Sequence, residues 1–335
     1  MCIINSNKIP FEEMSSNSKK IYKVFNFEII DYPQIQKTYV PRHKKYSYNS
    51  YSYSVKKDKI ADNFIEIFKI KEQDTFKNKF NEVCSGNGNE VKKITTIHSS
   101  SLCGLMFFYN VNNIPITLEI NNKQILFDKV LFEFQNKCIK GGKPSNVDIV
   151  LESKDKDTIL FLESKFAEYI LDASKTSTPI SNSYKDKDKC PIGAKIYSED
   201  NMKQIFGSNS SILPSTDNKF QIKTDNNCYI DGIKQMISHY IGVDNFVKGN
   251  LIDKRLYKDF KNIYLGTILF DKFDENTNFE EYQKIYKQLH TIINTVNEQP
   301  KITFLQEPIK YSDFVKNNYQ HINHTIANFY GLNNI

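Results

Sequence analysis

The chain has 335 residues, enough to bury a core without disulfide or metal staples, and its 45 Lys and Arg against 39 Asp and Glu leave a net charge of +6. That excess is compatible with a polyanionic partner, but the richness in Lys, Asn, Ile, Tyr and Ser and the absence of Trp also follow from an A·T-rich coding sequence, so charge alone assigns nothing. The cysteines Cys2, Cys84, Cys103, Cys138, Cys190 and Cys228 form no CxxC pair and no Cys/His cluster, which excludes a zinc-finger module and reads as reduced thiols.

The opening residues, MCIINSNKIPFEEM, lack the long apolar stretch of a secretion signal, and no later apolar run approaches membrane-spanning length. A cytoplasmic chain with no membrane contact is expected. Residues 1–60 read as irregular, with Pro33 and Pro41 breaking the pattern. Residues 1–70 are taken as an N-terminal extension. In it Lys37, Arg42, Lys44, Lys45, Lys56 and Lys57 flank Tyr46, Tyr48, Tyr51 and Tyr53, a composition suited to a DNA-contacting arm or to a plain solvated edge. Residues 71–335 are taken as one domain.

From Asp74, an N-cap residue type, Phe76, Phe80 and Val83 recur at helical spacing and predict a helix ending near Gly86. Ser99 or Ser100 offers the cap of a second, strongly apolar helix. Three strand-like runs follow at 129–135, 145–153 and 158–166, joined by the Gly-Gly turn at 141–142 and the charged KDKD at 154–157; they read as an antiparallel meander. Residues 173–227, rich in Ser, Thr, Asn, Asp and Lys, predict a polar insertion with little regular structure. A helix at 231–243, a buried strand at 262–270, an amphipathic helix at 279–296, a short strand near 302–305 and a helix capped by Ser312 complete the order. The fold class is α/β.

Asp148 sits inside one apolar strand, and Glu163 and Lys165 sit two residues apart inside the next, so the last two share a face. Charges among Ile, Val, Leu and Phe are costly unless paired or bound to a cation. Two carboxylates and an amine meeting across a hairpin suit phosphodiester hydrolysis, with Asp148, Glu163 and the Ser164 backbone carbonyl as Mg²⁺ ligands and Lys165 acting on the attacking water. The two carboxylates are expected to lie close enough to share one cation, with the Lys165 amine beside them. Replacing either acid is expected to leave stability unchanged, because it relieves carboxylate repulsion. His98, Ser99 and Ser100 are candidate phosphate contacts at a helix start, although capping explains the serines equally. Lys234 and Gln235 are candidate DNA contacts on the 231–243 helix.

The pair PSNVDIVLE and ILFLESKF resembles the D…(D/E)xK hairpin of the PD-(D/E)xK nucleases, over roughly residues 75–270. Here Pro144 stands four residues before Asp148 rather than beside it. The resemblance implies a restriction-endonuclease-like core, a mixed central sheet flanked by helices and carrying insertions. It implies a Mg²⁺-dependent DNA endonuclease, with Mn²⁺ as a substitute and a restriction or defence role. It leaves a homodimer open. It also implies a further acid on the helix before the hairpin, for which Glu90 is the candidate and Glu133 the competitor; Glu168, just after the strand, reads as a helix-start residue. Gln235 with Tyr240 is similar to the Gln-x-x-x-Tyr element of RecB-like nucleases, except that the interval is one residue too long and His239 stands at the Tyr position. The alternative function is a non-catalytic nucleic-acid-binding or assembly protein that retains the fold.

Overall fold

A computed structural model of the chain describes residues 36–40, 45–49, 57–85, 94, 99–139, 141–168, 177–215, 217–224, 230–250, 253–256, 259–273, 277–297 and 301–333. They form a mixed α/β protein in two compact units. The first comprises residues 1–133, 270–275 and 310–335, and the second residues 134–269 and 276–309.

Strands β1 (Gln36–Val40) and β2 (Lys45–Asn49) pair antiparallel, with Tyr39 opposite Tyr46. Helix α1 (Lys57–Ile67) begins within the last four residues of the stretch 1–60 read as irregular, and Ile60, Ala61, Phe64, Ile65 and Phe68 form a buried stripe at helical spacing. Helix α2 (Gln73–Val83) buries the predicted Phe76, Phe80 and Val83. Its N-cap is Glu72, which makes no side-chain capping bond, and Asp74 lies inside the first turn. Helix α3 (Ser100–Phe108) is capped by Ser99, whose hydroxyl accepts the Leu102 N–H at 3.2 Å. Every side chain from Leu102 to Phe108 is buried, as befits a helix that is apolar all round.

Strand β3 (Ile116–Ile120) pairs antiparallel with the start of β4 (Lys123–Asn136). Glu133 has a φ of 49°, a left-handed conformation disfavoured for Glu, and the burial alternation of β4 is lost from Val130 to Phe134. Helix α2 serves the strand beside this distortion. Glu82 accepts the Phe132 N–H at 2.8 Å, while Lys79 donates to Glu82 at 3.0 Å and to the Val130 carbonyl at 2.6 Å.

The second unit holds the hairpin that carries Asp148, Glu163 and Lys165. Strand β5 (Ser145–Ser153) runs antiparallel to β6 (Thr158–Lys165), all eight residues of which are buried. The KDKD link turns tightly: the Lys156 N–H reaches the Ser153 carbonyl at 2.8 Å, and Asp155 accepts from the Ser153 hydroxyl and from the Asp157 N–H.

The 173–227 stretch is not the unstructured excursion its composition predicts. It holds β7 (Ser177–Ser181), α4 (Pro191–Ile196), α5 (Glu199–Phe206), β8 (Ser211–Pro214) and β9 (Lys219–Lys223), with the strands in order β7–β9–β8. A small core of Ile180, Ile196, Tyr197, Met202, Ile205, Phe206, Phe220 and Ile222 holds it together. No element contributes more than three of these and β8 contributes none, too few to stand out from the charged residues between them.

Helix α6 (Ile230–Val247) packs on β5 and on β10 (Asn262–Leu269), which runs parallel to β6. Helix α7 (Thr277–Val296) and β11 (Ile302–Phe304), parallel to β10, complete the unit, giving the strand order β11–β10–β6–β5. The sheet is therefore mixed. In the first unit, α8 (Tyr311–Asn318) begins one residue before Ser312. Ser312 is not the cap; its N–H is received by Asp271 at 3.1 Å, a carboxylate supplied from distant sequence. Helix α9 (His324–Phe329) is capped by Asn323.

Candidate active site

The sequence-predicted acids lie on the paired strands β5 and β6. The β5–β6 register ends with Ile149 opposite Leu162, and Asp148 and Glu163 are the next residues along the two strands. The Asp148 carboxylate accepts the Ser164 N–H at 2.9 Å. Ser164, expected to act through its carbonyl, thus enters the described geometry through its amide.

Glu163 is the centre of the arrangement, at 1% exposure. Its Oε1 accepts from Lys165 Nζ at 2.7 Å, and its Oε2 faces His239 Nε2 at 2.7 Å. Lys165 also donates to Gln235 Oε1 at 2.8 Å, and His239 Nδ1 lies 2.6 Å from the Ser145 hydroxyl. Burial pushes the Glu163 carboxyl up, but the Lys165 ammonium and His239 pull it down further, and the balance holds it at about 2.

Helix geometry explains which residues of α6 take part. Gln235 and His239 are four apart and differ by about 40° around the axis, whereas Tyr240 is turned by about 140° from Gln235. Tyr240 instead accepts from Asn297 at 2.7 Å. His239 therefore stands on the helix face that Gln235 occupies, and its four-residue spacing from Gln235 was the sequence signal. Lys234 turns elsewhere, donating to the Pro179 carbonyl at 3.1 Å.

Two further residues carried no sequence signal. Thr267 on β10 pairs with Glu163 across the parallel ladder, and the Tyr282 hydroxyl of α7 donates to Thr267 at 3.5 Å. Burial pushes the Tyr282 phenol up to about 12, with Thr267 and Lys165 pulling down and Glu163 and Glu168 pushing up. Glu168 itself accepts the Phe166 N–H at 2.7 Å.

Of the remaining candidates, Glu90 and His98 lie outside the described residues. Ser99, Ser100 and Glu133 belong to the first unit. Among the described residues no group of three or more His, Cys, Asp or Glu side chains could hold a metal ion, and no helix is long and apolar enough to cross a membrane. No family model, curated protein or solved structure matches the chain.

Gly242 sets how closely α6 lies over Asn136: an added Cβ would come within 2.7 Å of the Asn136 Cβ. Gly242→Ala should therefore destabilise the protein by about 1–3 kcal/mol, and by moving α6 should loosen both His239 and Gln235 from their partners. Denaturant unfolding checks the first effect. An unchanged midpoint would show that the helix accommodates the methyl group.

Proposed function

We propose that the chain is a metal-dependent nuclease with a restriction-endonuclease-like core, cleaving DNA at Asp148, Glu163 and Lys165. The observation that carries the reading is the buried Glu163–Lys165 pair on β6, held from α6 by Gln235 and His239, with Asp148 of β5 bonded to the backbone of the intervening Ser164. A pair serving stability alone would be an expensive way to fill a fully buried strand built mainly of apolar side chains.

The donor set fits Mg²⁺. Two carboxylates and the Ser164 carbonyl are hard oxygen donors, and Mg²⁺ takes one or two carboxylates with waters rather than a full protein cage. Each Glu163 oxygen spends one lone pair on its partner and retains another. When bound, the cation neutralises charge growing on the phosphate oxygens. Lys165, fixed between Glu163 and Gln235, orients the attacking water and meets negative charge on the phosphate. Gln235 holds the amine in place.

Incubation of the purified protein with plasmid and with single-stranded DNA, in Mg²⁺ and in EDTA, tests the reading. Cleavage in Mg²⁺ alone is expected; its absence on both substrates removes the assignment. Lys165→Ala should lose turnover yet keep Ca²⁺ or Mg²⁺ binding, since it deletes a cation beside two acids. Calorimetry measures this, and cleavage at the normal rate would leave Lys165 a structural residue.

A second reading has one observation behind it. Ser145, His239 and Glu163 form a hydroxyl–imidazole–carboxylate chain of the kind used in acyl transfer. Against it, the Glu163 carboxylate that would orient the imidazole is also paired with Lys165. Ser145→Ala would abolish ester hydrolysis under this reading.

A further inference from the structure

We infer that His239, anchored by Ser145, is a positioning residue that sets the orientation of the Glu163 carboxylate toward a divalent cation, an inference that rests on the nuclease reading above. An ionised carboxylate only accepts hydrogen bonds, so His239 Nε2 carries the proton of the 2.7 Å contact with Oε2. The ring is held at its other end as well. Nδ1 lies 2.6 Å from the Ser145 hydroxyl, a group that donates to a bare nitrogen and accepts from a protonated one, so the anchor holds whichever form the imidazole takes.

The anchor also links separate elements. Ser145 begins β5, the strand that carries Asp148 three residues later, and His239 lies on α6, one helical turn beyond Gln235. One hydrogen-bonded chain thus runs from the strand of the first acid, through the helix, to the second acid. Lys165 holds the other oxygen of Glu163, so the carboxylate is gripped at both ends and its plane is set. A ligating carboxylate oriented this way binds its cation without first losing rotamer freedom, and removal of such an outer partner typically weakens metal affinity by roughly 10–100-fold.

Calorimetric titration of Ca²⁺ into the full chain without DNA, for wild type, His239→Ala, His239→Gln and Ser145→Ala, tests the inference; thermal melting confirms that each variant is folded. Gln places its amide N–H near the position of Nε2 and keeps the donation to Glu163. His239→Ala should weaken Ca²⁺ binding by roughly 10–100-fold, His239→Gln should recover most of that loss, and Ser145→Ala should fall between them. Should His239→Ala fail to fold, near-normal affinity in His239→Gln together with weakened affinity in Ser145→Ala supports the inference. Wild-type affinity in His239→Ala or in Ser145→Ala overturns it, as does a His239→Gln variant as weak as His239→Ala, or a wild-type chain that binds no cation. The two readings fail separately. A wild-type chain that binds Ca²⁺ with this variant order but never cuts DNA in Mg²⁺ keeps the positioning role and loses the nuclease, whereas a chain that cuts DNA with His239→Ala indistinguishable from wild type does the reverse.

Discussion

Asp148→Ala should lower Mg²⁺-dependent DNA cleavage by roughly a thousandfold or more while leaving the protein folded. The size follows from the several kcal/mol that a bound metal supplies to a phosphoryl-transfer transition state, with each 1.4 kcal/mol worth about tenfold in rate. The structural cost is small by comparison. Asp148 is half-buried, and losing its bond to the Ser164 N–H at 2.9 Å should cost about 1 kcal/mol. Single-turnover cleavage assays with melting curves on the same preparation separate the two effects. A variant that cuts at the wild-type rate would end the assignment of Asp148, and one that unfolds would make it structural.

Glu163→Gln should be equally inactive and, in contrast to Asp148→Ala, measurably less stable. The expectation drawn from carboxylate repulsion gives way here, because Glu163 is bound by Lys165 and His239 and sits at 1% exposure. Removing its charge strands the Lys165 ammonium in a site that is itself 4% exposed. Breaking a buried pair from one side costs about 3–5 kcal/mol, and the Gln235 carbonyl oxygen that still accepts from Lys165 places the expected loss near 3 kcal/mol. Replacing both charges, in Glu163→Gln with Lys165→Met, should recover most of that stability without restoring cleavage. Urea unfolding of the two single variants and the double variant gives the coupling directly. Additive losses would show that the two charges do not interact in the folded protein.

Much of the framework was legible because it repeats. Phe76, Phe80 and Val83 mark α2 by their spacing, Ser99 caps α3, and the apolar runs of β5, β6 and β10 stand out from a polar chain. The ExK spacing alone put Glu163 and Lys165 on one face, since strand side chains alternate with a period of two. The 173–227 region reads as unstructured for the opposite reason: its apolar residues are scattered over short elements, and only their assembly around Tyr197 and Phe220 makes a core.

Local spacing determined which charges lie side by side, and it did so because the chain's periodicities are properties of neighbouring residues. What each charge meets was decided by the tertiary structure. Ser145 and Glu163 are 18 residues apart, and His239 is 76 residues beyond Glu163; their contacts arise only where α6 packs on the sheet. Asp271 likewise receives the Ser312 N–H across 41 residues of chain. Such pairings depend on how elements pack, and packing is a sum over the whole core that no window of sequence contains.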